Sequence, residues 1–267
     1  MAIPLGVLIG LALGALGGGG SILTVPALVY VLGQEPAAAT TSSLIIVGLT
    51  AIIAVIPHAL AHRVRFGPGL LFGALGTAGS FIGAALSQSV PGTTLLIAFA
   101  GLMLVVATLM LRRALARAAP GQPPLDPTVE PMLTLRPFSC ACPRVARVVV
   151  TATAVGLITG FFGVGGGFVL VPALVLALGF PMPTAVGTSL LVIAVNSATA
   201  LTARLSHGTT DLDWPVIATF TVAAIAGSLV GGRIASTVDP RRLTTAFAML
   251  LIVVALYTAG RSLGLIG

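Results

Sequence analysis

The chain has 267 residues, of which 57% are hydrophobic and only 7% are charged, whereas about a quarter of the residues of a soluble globular domain are charged. This composition excludes a soluble domain whose surface faces water. The formal net charge of +7 would suggest a nucleic-acid partner in a soluble protein. Here the arginines are explained by their positions in the loops between apolar segments, so we expect no nucleic-acid partner.

Apolar residues form eight blocks that are nearly free of charge, each about the 20 residues needed to cross roughly 30 Å of hydrocarbon as a helix. The blocks cover residues 3–33, 38–61, 67–88, 93–113, 145–179, 184–205, 214–236 and 242–263. Membrane β-strands would alternate apolar and polar residues over about ten positions, and no such alternation is present. The sequence therefore predicts an all-α, multi-pass membrane protein. Because residues 1–16 lack the positive charge of a signal peptide, we expect the first block to remain in the mature protein.

The sequence repeats itself at an offset of 146 residues, which becomes 148 further along. The matching pairs are 17–28 with 163–174, Gly33 with Gly179, Ser43 with Ser189, Gly79 with Gly227 and Gly83 with Gly231. We therefore divide the chain into a first transmembrane repeat at 1–113, a linker at 114–143 and a second transmembrane repeat at 144–267. Duplicated halves of four segments are typical of secondary transporters, which hold substrate near the middle of the membrane between the repeats.

The positions of the arginines help to predict the orientation of the two repeats in the membrane, because positive residues accumulate on the cytoplasmic side. If all eight blocks cross, ten of the 13 arginines lie on the side of the linker and three on the other. If the first block of each repeat is a re-entrant pair of half-helices, the repeats are inverted and the division is eleven to two. The second arrangement is favoured by a single arginine, so both stay open. Both predict a bacterial inner (cytoplasmic) membrane protein with linker 114–143 in the cytoplasm.

Two runs of glycine, at 17–20 and 163–167, predict a break in the first segment of each repeat, since glycine costs about 1 kcal/mol in a helix relative to alanine. Non-helical backbone is tolerated at membrane depth where it is buried in protein or lines a wet cavity. Free amides at the start of a half-helix bind anions without a formal positive charge. The substrate-binding groups predicted at the two breaks are Gly18, Gly19, Gly20, Ser21 and Thr24 in the first repeat and Gly165, Gly166 and Gly167 in the second.

Other small and hydroxyl residues have two interpretations each. Gly79, Gly83, Gly227 and Gly231 have the spacing of helix-packing glycines, and we assign them that role. A hydroxyl cluster follows each glycine run, and its members either cap the next helix or contact the substrate. The cluster members counted as candidate ligands are Thr41, Ser42 and Ser43 in the first repeat and Thr188 and Ser189 in the second.

Three polar residues of the apolar blocks need a separate interpretation. His58 aligns with Arg204 in the repeat. Histidine changes its charge near neutral pH, so His58 is a candidate for proton coupling, against the alternative of a wetted residue at a helix end. For Arg204 we favour the helix-end interpretation. Asn196 is either a substrate ligand or an interhelical hydrogen-bonding group, and the second is the commoner role.

Enzymatic and metal-dependent functions have little support in the sequence. None of the six acidic residues lies in the middle of an apolar block, although acid–base chemistry would need a positioned pair. The glycine runs lack the lysine of a phosphate-binding loop and the strand of a dinucleotide site. Cys140 and Cys142 have neither the number nor the spacing of a zinc site. We expect no enzymatic activity, no cofactor and no metal.

The motifs in combination resemble those of the sulfite exporter TauE/SafE family of membrane permeases. The glycine run at 163–167 is followed by Val-Pro-Ala-Leu at 171–174 and by Gly-Thr-Ser at 187–189, and a degenerate copy occurs in the first repeat. In that copy Gly20 and Ser21 replace Gly166 and Gly167, and Thr-Ser-Ser at 41–43 replaces Gly-Thr-Ser. The resemblance covers nearly the whole chain and implies transport of an oxyanion such as sulfite or an organosulfonate.

The sequence thus predicts a secondary carrier that exports a small sulfur-containing anion, bound at the interface of the repeats. The alternatives are a passive anion channel and a permease of the same fold for a different solute. The expected partners are the small anion and the lipid bilayer, and a homodimer stays open.

Overall fold

The computed structural model describes residues 1–87, 90, 92–116, 142–162, 167–205 and 212–262. Within these ranges all regular structure is helical, and no strand occurs. The elements are α1 (Ala2–Leu16), α2 (Gly19–Pro26) with its π-helical continuation (Ala27–Val31), α3 (Pro36–Leu60), α4 (Phe66–Ser87), α5 (Gly92–Ala116), α6 (Cys142–Phe162), α7 (Gly167–Leu176), α8 (Met182–Leu205), α9 (Trp214–Thr237) and α10 (Pro240–Ser262).

Six helices, α3, α4, α5, α8, α9 and α10, are long and apolar enough to cross a membrane. Helix α1 has 15 residues and α7 has 10. At about 1.5 Å per residue, neither reaches the roughly 30 Å of a hydrocarbon core. The prediction of an all-α membrane protein is confirmed, and the predicted block 214–236 differs from α9 by one residue.

The first apolar block is a pair of short helices that reverses direction. Helix α1 ends at Gly17, and a β-carbon added to Gly20, in α2, would lie 2.6 Å from the carbonyl oxygen of Ile9. These two residues are eleven positions apart, so α2 must turn back along α1 to bring them together. Leu28, just beyond α2, accordingly shares an apolar cluster with Leu5. The first block is therefore re-entrant.

Helices that correspond in the sequence repeat run in opposite directions. Helices α3 and α8 pack side by side. In the middle of α3, a β-carbon added to Gly48 would lie 3.0 Å from the β-carbon of Ser197, in the second half of α8. Gly187, near the start of α8, lies against His58, near the end of α3. The two helices are therefore antiparallel. If the two repeats were related by a symmetry axis along the membrane normal, corresponding helices would run parallel. Their antiparallel packing therefore supports inverted repeats.

The same local turn ends α7 and the π-helical continuation of α2. The amide of Gln34 donates to the carbonyl of Leu28 at 3.0 Å, and the amide of Phe180 donates to that of Leu174 at 3.0 Å. Each turn passes through a glycine with positive φ, 68° at Gly33 and 73° at Gly179. Glycine adopts this left-handed conformation at little cost, which explains its recurrence at the matching position.

The first helix of each repeat packs on the other repeat. Helix α1 runs along α9, and helix α6 runs along α4, through contacts so close that no β-carbon fits between the backbones. The contacts join Gly10 to Ala224, Gly14 to Ser228, Gly227 to Val7, Gly231 to Leu11, Gly79 to Thr153, Gly83 to Leu157, Gly156 to Gly76 and Gly160 to Ser80. The packing role predicted for the four paired glycines is confirmed. In lipid such close backbone contact is a main source of helix association.

Candidate substrate site where the helix breaks meet

The first glycine break lies against the start of α7, between the repeats. A β-carbon at Gly18 would overlap the carbonyl group of Gly167, so the start of α2 lies directly against the start of α7. Gly167 in turn contacts the side chain of Ser21, and a β-carbon at Gly17 would lie 2.5 Å from the Ser189 hydroxyl oxygen. Backbone from one repeat thus faces backbone and a hydroxyl of the other.

Gly17 allows the chain to reverse here. Its φ of 72° lies in the left-handed region, and its amide donates to the carbonyl of Leu13 at 2.8 Å. A side chain at this position would be strained by about 1 kcal/mol or more. Gly17 was absent from the predicted ligands, although its alignment with Gly163 gave a sequence signal for it.

The amides at the start of α2 are buried and have no acceptor among the residues that the structure describes. Gly18, Gly19 and Gly20 are all buried. No side chain caps α2, and no described residue supplies an acceptor to these three amides. A buried amide without an acceptor costs free energy comparable to a lost hydrogen bond. These donors carry the positive end of the helix dipole, so the position suits a negatively charged ligand.

The second break is held by aromatic packing. Phe99 of α5 packs on Phe162, the last residue of α6, at a ring-centroid distance of 5.4 Å. It also packs edge-on against Phe168, near the start of α7, at 5.1 Å. The two ends of the break are therefore fixed to one side chain. Gly165 and Gly166 lie outside the described residues, and their predicted role stays a prediction.

Most hydroxyl groups near the breaks donate to the backbone of their own helix. Ser21 donates to the carbonyl of Gly18 at 2.8 Å and Thr24 to that of Gly20 at 2.9 Å. Ser43 donates to Thr40 and Ser189 to Val186, both at 2.8 Å. Each oxygen keeps a free lone pair, but the hydroxyl must rotate before its proton can reach an anion.

The interpretation of the hydroxyl clusters as helix caps is wrong. Helix α3 begins at Pro36, and α8 begins at Met182, so both clusters lie beyond the first turn of their helices. Proline at the first helical position provides the start of α3, because its fixed φ suits a helix and its missing amide is not needed there. Thr41, Ser42 and Ser43 are all buried within α3.

Two hydroxyls that correspond in the repeat have different surroundings. Thr188 is fully buried and accepts a hydrogen bond from the amide of Arg65 at 3.1 Å, which ties α8 to the turn between α3 and α4. Its counterpart Ser42 is also fully buried, yet its hydroxyl has no hydrogen-bond partner in the described part of the chain. An unpaired buried hydroxyl is costly, and it is available to a ligand.

Asn196 lies between helices. The hydroxyl of Thr77 in α4 donates to the amide oxygen of Asn196 in α8 at 3.3 Å. This contact is an interhelical hydrogen bond, which is one of the two roles that the sequence left open for Asn196.

His58 is a buried polar group at a junction of helix ends. Only 4% of its surface is exposed, and neither ring nitrogen has a hydrogen-bond partner of good geometry in the described residues. The β-carbon of His58 lies against Gly187 of α8. Its ring lies against Gly232 of α9, where an added β-carbon would be 3.6 Å from Nε2, and close to the carbonyl of Gly14 near the end of α1. The side chain of Arg204, its counterpart in the repeat, lies outside the described residues.

A model of the family "Sulfite exporter TauE/SafE" matches residues 2–258, which is nearly the whole chain. The chain belongs to the sulfite exporter TauE/SafE family. This confirms the resemblance seen in the glycine, Val-Pro and Thr-Ser motifs. Membership in the family and six helices long enough to span a bilayer support a multi-pass membrane transporter.

Relatives in distant organisms match over similar lengths. A "Probable membrane transporter protein" of Xylella fastidiosa (strain Temecula1) is 36% identical over 98% of this chain and 95% of its own length. The "Probable membrane transporter protein YunE" of Bacillus subtilis is 24% identical over 94% and 92%. A similarly named protein of Methanocaldococcus jannaschii is 22% identical over 96% and 95%. No solved structure is significantly similar to the chain.

Proposed function

We propose that this family member is a secondary transporter that exports a small sulfur-containing anion, such as sulfite or sulfoacetate. The supporting observation is the set of buried amides at Gly18, Gly19 and Gly20. They lie where the two repeats meet, and no residue in the described ranges supplies them with an acceptor. An oxyanion carries several acceptor oxygens on one centre. It is therefore the kind of solute that satisfies several such donors at once.

The proposed binding groups combine backbone amides and hydroxyls from both repeats. They are Gly18, Gly19, Gly20, Ser21, Thr24, Thr41, Ser42 and Ser43 from the first repeat and Gly165, Gly166, Gly167, Thr188 and Ser189 from the second. No arginine is among them. Binding by amide dipoles without a full positive charge is weak enough to allow release, which a transport site needs.

The helix pairs formed across the repeats suggest how the site opens. Helix α1 is locked to α9 and α6 to α4 through glycine contacts, so each pair is expected to move as one body. In transporters with inverted repeats, one such body rocks against the other around a fixed site. We propose that movement between these pairs exposes the breaks to one side of the membrane and then to the other.

The coupling group we propose is His58. Neither nitrogen of this buried imidazole has a hydrogen-bond partner of good geometry in the described residues, and such a group in a membrane protein is often functional. The charged and titratable residues nearest to this junction along the described elements are His62, Arg63 and Arg65 in the turn after α3 and Arg233, which follows Gly232 on α9. All of these are basic or neutral, so a proton on His58 has no described carboxylate beside it. We propose that His58 takes up its proton only when the junction with Gly14, Gly187 and Gly232 separates.

The proposed orientation places the linker in the cytoplasm. With inverted repeats, eleven of the 13 arginines lie on the side of the linker, which the positive-inside rule assigns to the cytoplasm. The division into repeats at 1–113 and 144–267 stays part of the same proposal.

Reconstitution tests the function directly. Proteoliposomes are loaded with radiolabelled sulfite, sulfate, thiosulfate or sulfoacetate, and efflux is measured with and without a pH gradient. We expect saturable efflux of at least one sulfur oxyanion and no flux in protein-free vesicles. Flux that never saturates would indicate the channel alternative. Failure of all four anions to move would contradict the proposed substrate class.

A further inference from the structure

A second feature of the molecule lies away from the helix breaks, at the turn between α9 and α10. A shallow depression of about 560 Å³ opens there to the outside. Its lining residues are Asp239, Arg241, Arg242, Thr245, Ala246 and Met249. None of these belongs to the proposed substrate site.

One end of the depression is positively charged. Arg241 and Arg242 are exposed, and neither guanidinium forms an ion pair within the described ranges. Asp239, the only carboxylate of the lining, accepts a hydrogen bond from the amide of Arg241 at 2.8 Å and is thereby turned toward the backbone. Both arginines lie in the first turn of α10, where the helix dipole adds to the positive potential.

The other end of the depression is apolar and continues along α10. Met249 is 57% exposed, and Val253 and Leu256 follow it at helical spacing with 63% and 59% exposed. Ala246, one turn earlier, is exposed as well. The surface therefore changes from two cations to an apolar stripe within about two helical turns, which matches the headgroup and the upper acyl chain of a phospholipid.

The basic pair is present in only one of the two repeats. At the offset of 148 residues, Arg241 and Arg242 correspond to Thr93 and Thr94. The duplicated scaffold therefore does not require the arginines. They belong to one side of the membrane, since inverted repeats place corresponding turns on opposite sides.

The helix contacts show which side this is. Gly232, near the end of α9, lies against His58 near the end of α3. The start of α8 lies at this same end of α3, because Gly187 contacts His58. Arg113, near the end of α5, donates to the carbonyl of Leu176, which lies just before the turn into α8. The turn between α9 and α10 is therefore on the side where α5 leads into the linker, the arginine-rich side.

We propose that this depression binds one anionic phospholipid of the bilayer leaflet on the linker side, with its phosphate between Arg241 and Arg242 and an acyl chain along Met249 and Val253. Guanidinium groups bind phosphate by two parallel hydrogen bonds. The hydroxyl of Thr245 lies next to them, and it donates to the carbonyl of Arg241 at 3.0 Å, so it must rotate to donate to a phosphate. The inference does not depend on the substrate of the transporter.

The test uses the full chain purified in a neutral detergent. Bound lipid is counted by native mass spectrometry, and the melting temperature is followed on addition of phosphatidylglycerol, phosphatidylcholine or glycerol phosphate. We expect phosphatidylglycerol to bind at least tenfold more tightly than phosphatidylcholine and to raise the melting temperature. Glycerol phosphate, which has the headgroup chemistry without acyl chains, should have no effect.

Variants locate the site. The double variant Arg241→Gln/Arg242→Gln should lose at least tenfold in affinity for phosphatidylglycerol, and Ala246→Trp, which fills the depression, should do the same without changing charge. The control Arg112→Gln/Arg233→Gln removes two exposed charges from the same side and should bind normally. Unchanged binding in both site variants would overturn the proposal. So would equal binding of the two lipids, or an equal response to glycerol phosphate, which would indicate a site for free phosphate.

Discussion

Glycine has two different uses in this molecule, in the helix pairs α1–α9 and α4–α6 and at the breaks. In the pairs, Gly10, Gly14, Gly156 and Gly160 lie inside helices and let two backbones touch. At the first break, Gly17 has a positive φ, and the amides after it have no acceptor in the described part of the chain. Both regions contain glycines at which no β-carbon fits, such as Gly14 and Gly18. Of these two described regions, the break is the one that leaves backbone amides for a ligand. Glycine content alone therefore does not identify a binding site.

The largest expected effect is in a helix pair. Gly14→Leu places a side chain into the backbone of Ser228. Overpacking of this kind costs about 1–3 kcal/mol and more when backbone must move. We expect little folded protein by size-exclusion chromatography in detergent. Gly101→Leu is the matched control, because Gly101 has open space around its α-carbon. A normal yield of the Gly14 variant would contradict the tight contact between α1 and α9.

A change at the second break should act on transport instead. Gly166→Leu replaces a glycine of the predicted second break with a residue that favours a continued helix. We expect folded protein in normal yield with efflux lowered about 100-fold, which corresponds to roughly 2.7 kcal/mol. Normal efflux from this variant would remove the second break from the site and leave the distinction between the two glycine uses unsupported.

His58 sharpens the comparison, because its ring lies between the end of a packed pair and the break. His58→Gln keeps a polar side chain of similar reach that cannot take up a proton. We expect efflux that no longer responds to a pH gradient, with the rate at zero gradient within about threefold of the parent. His62→Gln is the control, since His62 is exposed in the turn after α3. Loss of the pH response in both variants, or in neither, would contradict the coupling role.

The smallest effects are expected from the two matching hydroxyls. Thr188→Val leaves the amide of Arg65 without its acceptor and should lower the free energy of unfolding by about 1–2 kcal/mol. Ser42→Ala removes a hydroxyl that has no partner among the described residues, so stability should change by no more than about 0.5 kcal/mol, while the half-saturation concentration of the anion should rise several-fold. Thermal unfolding and concentration-dependent efflux measure the two quantities. The reverse pattern would mean that Ser42 is structural and Thr188 is a ligand.

The sequence was sufficient to predict the positions of the helices and of the first glycine break. Long apolar blocks separated by polar turns located the helices to within a few residues, because crossing hydrocarbon leaves few choices of structure. The break at 17–20 was visible because consecutive glycines oppose a continuous helix. The arginines favoured inverted repeats by one residue, and the antiparallel packing of α3 and α8 provides the stronger argument.

Other features depend on contacts that are distant in the chain. A stripe of small residues on α1 shows that some backbone approaches closely, but it does not show that the partner is α9 of the other repeat. The hydroxyl clusters looked like caps because the start of α3 was placed too late, although Pro36 is itself a signal for a helix start. Nothing local distinguishes Ser42 from Thr188, since the difference lies in whether an amide from another turn reaches the hydroxyl.

One matched pair of variants at Gly19, the first residue of α2, tests the account most directly. Gly19→Ala keeps the amide. Its β-carbon comes within 2.9 Å of the end of the Leu250 side chain, which can shift, and makes ordinary van der Waals contact with Leu16 at 3.6 Å. Gly19→Pro removes the amide at a helix position that suits proline. The measurement is saturable anion efflux from proteoliposomes containing equal amounts of folded variant. The account predicts near-normal efflux for Gly19→Ala and a loss of at least about tenfold for Gly19→Pro, since hydrogen bonds to charged groups are worth about 1.5–3 kcal/mol. Equal efflux from the two variants would show that the amides at the start of α2 do not hold the anion.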